Sequence, residues 1–183
     1  MPKLSSSVVF VLGMALACLA PNASANQDLV DRVSPDAAFG PVGHHWHSVE
    51  ISPRIMIAMD AHRIEALEGS IRQVTTVSFS PKPMVLGGAA HDYLVLVFEL
   101  DCAIEGRHRG VAAAGYIHRD GHWKQSGLET EPTEWNEASY GPLLSAWQMT
   151  CGSVPSQTAL PEGLGFDEML WIYRKVLEES KQP

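Results

Sequence analysis

Two basic runs, one acidic loop and a pair of cysteines have the residue types and spacing for chemistry in this sequence. The run Gly43-His44-His45-Trp46-His47 places the imidazoles of His45 and His47 two residues apart. On an extended strand they share a face, and such a pair binds a transition metal once a third ligand joins it. Without that ligand, exposed histidines near a mature N-terminus are simply solvated. The second run, Gly106-Arg107-His108-Arg109-Gly110, makes Arg107 and Arg109 candidates for a partner- or anion-binding patch, with Arg63, Arg72 or Arg119 as helpers. The same charges at a strand start also describe a solvated edge that discourages sheet-to-sheet aggregation. In the loop 129–141, Glu129, Glu131, Glu134 and Glu137 crowd together around Trp135. A calcium site would want Asp, Asn and Gly at closer spacing, so this is read as a solvated loop. Trp135 is then either packed inward or displayed for a partner.

Nucleophilic catalysis has one candidate, Cys102 with Asp101 and one of the histidines. Alternation along 93–102 (YLVLVFELDC) puts Leu94, Leu96, Phe98, Leu100 and Cys102 on one face and Tyr93, Val95, Val97, Glu99 and Asp101 on the other. Cys102 therefore points into an apolar interior and leaves no thiolate if it pairs with Cys151. No serine-centred elbow, phosphate-cradling glycine loop, zinc-protease helix or paired-cysteine redox motif occurs. The expectation is a non-enzyme without a cofactor.

The chain opens with one charge, Lys3, an apolar stretch over 8–20 and Ala23-Ser24-Ala25, the pattern of a secretory signal peptide cut after Ala25. Its apolar core is short for a membrane span and nothing comparable follows. Cys18 suggests a lipoprotein site, but Ala15 stands where that signal prefers Leu. Cleavage leaves 158 residues, one domain's worth, with 12 basic against 21 acidic residues and a net charge of −9. That balance argues against nucleic acid and anionic membrane surfaces as partners. It also leaves Cys102 and Cys151 as an even pair, read in an exported chain as a disulfide.

Residues 26–43 lack periodicity and carry Pro and Gly, as a flexible lead-in would. Strands are expected over 46–51, 55–60, 71–79, 93–102, 106–118 and 122–126, with a loop over 80–90 and a tight turn at Asp120-Gly121. Small residues at 112–115 (Ala-Ala-Ala-Gly) leave room for a helix or a ligand to approach. Short connections make the sheet antiparallel. Trp46 and Val49 fall on opposite faces under strict alternation, which a bulge or cover on both faces would resolve. Pro142 opens a helix whose Leu143, Leu144, Trp147 and Cys151 form an apolar stripe, so the disulfide would staple that helix to the sheet. Closing about fifty residues stabilises by roughly 4 kcal/mol. A second amphipathic helix carries Phe166, Met169, Leu170, Tyr173, Val176 and Leu177 on one stripe. The fold class is thus α+β: a single antiparallel sheet of about six strands, a disulfide-attached helix and a further C-terminal helix.

Trp46, Asp60, Gly69, the run 93–102, Tyr116, the hairpin and the helix end Met149-Thr150-Cys151-Gly152 follow in an order and spacing that resemble the surface-adhesin protein E family over residues 44–152. The region 153–183 is an extension beyond that likeness. The resemblance implies an antiparallel sheet with a disulfide-attached helix in an exported protein of the bacterial periplasm or outer surface. It also implies a protein ligand, such as the host extracellular proteins vitronectin or laminin, and a homodimer. Cys102, Cys151 and Trp46 carry over as structural positions only. The alternative is a periplasmic metal or small-ligand binder using His45, His47 and the gap at 112–115.

Overall fold

The computed structural model describes residues 21–34, 46–120, 122–152 and 166–180. Its strands are β1 (Trp46–Ile51), β2 (Met56–Asp60), β3 (Glu65–Ala66), β4 (Ile71–Leu86), β5 (Ala89–Asp101), β6 (Arg107–Arg119), β7 (His122–Glu129) and β8 (Asn136–Glu137). All join one antiparallel sheet in the order β1-β2-β4-β5-β6-β7, with β3 added to β4 and β8 to β6. Among the described residues three helices accompany it: α1 (Pro21–Arg32), α2 (Pro142–Cys151) and α3 (Phe166–Glu179). The expected α+β class with a disulfide-attached helix is therefore present, and each of the six expected strands is found.

Two turns account for much of the register. Arg119 pairs with His122 across a tight turn that begins at Asp120, whose φ of +54° lies in the left-handed region such a turn requires. The segment 80–90, expected as a loop, instead extends β4 and β5 into one long hairpin. Gly87 and Gly88, both at positive φ, close it, and Leu86 pairs with Ala89. Pro81 and Pro83 are tolerated because they sit in the register break between Phe79 and Met84, where neither owes the ladder a donor.

Both faces of the sheet are covered, unequally. On the first face Ala58, Val77, Tyr93, Val95, Ala112, Ala114 and Tyr116 are buried with Trp46 and with Met169, Leu170 and Tyr173 of α3. On the second face a smaller cluster of Met59, Val74, Leu100 and Ala146 meets Val49, Phe98, Trp147 and Cys151. The main core thus lies on the Tyr93, Val95, Val97 side of β5. Leu94, Leu96 and Phe98, expected to face the core with Cys102, are only half-buried. Length explains the inequality. The ten residues of α2 extend about 15 Å, whereas the thirteen residues of β5 run about 43 Å. Trp46 and Val49 are reconciled by both devices at once: a register shift between Ser48 and Glu50, and cover on both faces.

The stretch 26–43, expected as a flexible lead-in, is helical up to Arg32, and its residues 35–43 lie outside the described residues. Its first residues continue α1, and Val33 is buried beside half-buried Leu29. Tyr116 Oη donates to the Val33 carbonyl, tying this segment to β6. One i, i+4 apolar pair, Leu29 and Val33, is enough to dock a helix but too little to register as amphipathic periodicity. The helix runs across the expected cut after Ala25, and its docking residues lie on the mature side.

Cys102 and Cys151 are disulfide-bonded with Cα atoms 5.1 Å apart. Asp101 organises the turn beside them. Its carboxylate accepts from Ser70 Oγ at 2.6 Å and from the Ala103 amide at 3.0 Å, while its carbonyl accepts from Trp147 Nε1 of α2 at 2.9 Å. The Ser70 hydrogen bond, then the Ala103 amide, hold the Asp101 carboxyl below its ordinary range.

Replacing Cys102 and Cys151 together by Ser should lower the unfolding free energy by about 4 kcal/mol, measured by urea denaturation, because the cross-link closes a loop of 49 residues. Burial pushes the Tyr116 hydroxyl from its ordinary 10.0 up to about 12. Between pH 10 and 12 the unfolded chain loses this proton while the folded chain keeps it, so stability falls as pH rises through that window. Unfolding midpoints of the native protein should therefore drop more steeply there than those of Tyr116→Phe.

Candidate functional site

The half-covered face of the sheet carries a groove of two adjoining lobes, with Leu96 and Phe98 of β5 as their shared floor. The first lobe, about 190 Å³, lies against α2 and is lined by Val49, Ile57, Thr76, Ser78, Pro142, Leu143 and Ala146. The second, about 270 Å³, lies on the far side and is lined by Leu86, His108, Gly110, Ala112, Ala113, Glu129, Glu131, Thr133 and Asn136. Local sequence shapes each wall. The β1 register shift packs Val49 into this face's cluster, Pro142 starts α2 at the lip, and the long β4–β5 hairpin brings in Leu86. Arranged this way, the groove offers apolar contact along its floor and carboxylates at one end.

The gap expected at 112–115 is filled by protein over much of its length. Ala112 and Ala114 are buried in the main core. A Cβ on Gly115 would come within 2.3 Å of Nδ1 of His91, and one on Gly127 within 3.1 Å of that ring. His91 is buried, its Nε2 lies 3.0 Å from the Leu86 carbonyl and its Nδ1 2.6 Å from Ser126 Oγ. A carbonyl only accepts, so Nε2 donates to Leu86. Of the four, Ala112 and Ala113 line the groove.

Arg107, Arg109 and Trp135 are brought together. β8 pairs with the start of β6, and the guanidinium carbons of Arg107 and Arg109 lie 5.2 and 4.7 Å from the Trp135 ring centroid. Both cations are already paired. Arg109 contacts Glu99 Oε2 at 2.6 Å through Nη2 and 2.8 Å through Nε, and Arg107 lies 3.7 Å from Asp101. This ladder is on the face opposite the groove, because Glu99 alternates with Phe98 and Leu100. Its chemistry is that of a roofed ion-pair array, whose charge is largely spent internally.

The other sequence candidates do not converge on the groove. His47 is half-buried on β1 opposite Met59, and His45 lies outside the described residues. Among the described residues no three His, Cys, Asp or Glu side chains are placed to hold a metal ion. Glu134 and Glu137 are exposed, the latter within β8. Cys102 is in the disulfide and so presents no thiolate to Asp101. Among the described residues no helix is long and apolar enough to cross a membrane.

Sequence reasoning missed the groove because Leu96 and Phe98 look like core residues in an alternating strand. The available signal was β5 itself, apolar on both faces, set beside a covering helix of only ten residues. Comparison with protein-family models, curated proteins and solved structures finds no match.

Gly115→Ala should destabilise the fold by about 1–3 kcal/mol, because the added methyl overlaps a buried ring. The cost should shrink markedly in a His91→Ala background, as a double-mutant cycle followed by chemical denaturation would show.

Proposed function

We propose that the chain is an exported, non-enzymatic binding protein of the bacterial cell envelope, similar to the surface-adhesin protein E family, with the Leu96–Phe98 groove as its binding surface. The observation that carries this reading is the groove itself: a formed, largely apolar concavity on the half-covered face of the sheet. Export is supported by the signal-peptide pattern of residues 1–25 and by the disulfide, a bond that persists in oxidising compartments. The resemblance is supported by the helix tethered through Cys151 to the end of β5, the arrangement that the family implies.

On this reading adhesion to host extracellular proteins, vitronectin or laminin among them, is the expected role, with a homodimer as the working form. A second reading, periplasmic capture of a small ligand, is favoured by the size of the two lobes. The metal variant of that reading needs His45 and a third ligand beside His47.

Protease treatment of intact cells separates the two roles. Rapid loss of the full-length protein, with a periplasmic marker intact, is the expected result for an adhesin. Complete protection until the outer membrane is opened contradicts adhesion and leaves periplasmic capture.

A further inference from the structure

We propose that the groove binds a small amphipathic cation, an apolar body carrying one ammonium group. The body would occupy the lobe beneath α2 and the head would sit at Glu129 and Glu131. This rests on the second reading above, capture of a small ligand with the groove as the binding surface, and adds the chemistry of what enters it.

Charge complementarity sets the sign. Glu129 and Glu131 are exposed at the mouth of the larger lobe, and neither has an ion pair among the described residues. No Lys or Arg lines either lobe. The nearest guanidiniums along β6, those of Arg107 and Arg109, are engaged by Asp101 and Glu99 on the other face. His108 also lines the lobe, with its Nδ1 2.9 Å from the Gly106 carbonyl. An anionic head group would therefore meet two carboxylates with no fixed positive charge to offset them, whereas a cation meets complementary charge. The net charge of −8 adds a longer-range attraction of the same sign.

Hydrogen bonding sets the size. The floor of the lobe under α2 belongs to interior strands β2, β4 and β5, each paired on both sides there, so no free strand edge lies in that lobe to receive an extended peptide. The lobe under α2 presents only the Thr76 and Ser78 hydroxyls, and Thr76 Oγ1 already donates to the Leu96 carbonyl at 3.4 Å. A peptide main chain buried there would lose water without replacement, at a cost a hydrocarbon or aromatic body does not incur. The part of the occupant that fills this lobe is therefore an apolar body and not a peptide main chain.

The test uses the full-length protein with its disulfide formed and three probes below any micelle concentration: octyltrimethylammonium, octanoate and tetramethylammonium. Amide shifts in two-dimensional NMR locate and quantify binding. Octyltrimethylammonium should saturate with shifts at Leu96, Phe98 and Ala113, and octanoate and tetramethylammonium should each bind at least about tenfold more weakly. The double variant Glu129→Gln, Glu131→Gln should weaken the cationic probe by about three- to tenfold and leave octanoate unchanged or tighter. If octanoate and octyltrimethylammonium shift the groove equally, or the variant binds the cation as before, the cation assignment is overturned while the groove remains the binding surface. If no probe moves groove amides, or shifts gather elsewhere, the groove reading falls as well.

Discussion

Strand β5 is apolar on both of its faces, and a sheet built around such a strand has to be covered twice. Tyr93, Val95 and Val97 are sealed within the main core, to which α3 contributes Met169, Leu170 and Tyr173 and the α1 segment Val33. Leu94, Leu96 and Phe98 face the other way and are only half-buried, with α2 lying against Leu96 and Phe98. Most features that distinguish the molecule follow from this asymmetry. A three-turn helix cannot cover the reverse side of a thirteen-residue strand, so part of that side stays open as a groove.

The disulfide makes the partial cover durable. α2 has no side-chain cap, and its N-terminus rests on Gly141 at positive φ with Pro142 following. An isolated helix of this length is marginal in water. The Cys102–Cys151 bond fixes its C-terminal end to the sheet, and the Trp147 hydrogen bond to the Asp101 carbonyl fixes the turn before it. Ala146, the buried helix residue, permits close approach because it is small. Strengthening the tether does not lengthen the helix, so stability and an open groove are compatible in one scaffold.

Much of the frame was legible in the residues. Alternation from 93 to 102, the Asp120-Gly121 turn, Pro142 and the even cysteine pair each encode a local rule that the fold obeys. Other features depended on tertiary context. The α1 segment docks through Leu29 and Val33, too sparse a pattern to see, and Gly87-Gly88 closes a hairpin whose prolines suggested a loop. The small residues at 112–115 did announce a close approach, but only folding showed that His91 makes it at Gly115. Arg107, Arg109 and Trp135 were singled out by type and do meet, yet their pairing with Glu99 and Asp101 required knowing which strand lies alongside. The groove was the hardest to foresee, because the same Leu and Phe pattern serves a covered face and a half-covered one.

The claim that one face of β5 is sealed and the other half-open can be tested residue by residue. A soluble paramagnetic relaxation agent, read on methyl and aromatic signals by NMR, reports solvent proximity directly. Leu96 and Phe98 should relax strongly while Val95 and Val97, their immediate neighbours in sequence, remain protected. Equal protection of all four would mean a closed second layer and no groove, and the reverse pattern would contradict the assignment of the faces altogether.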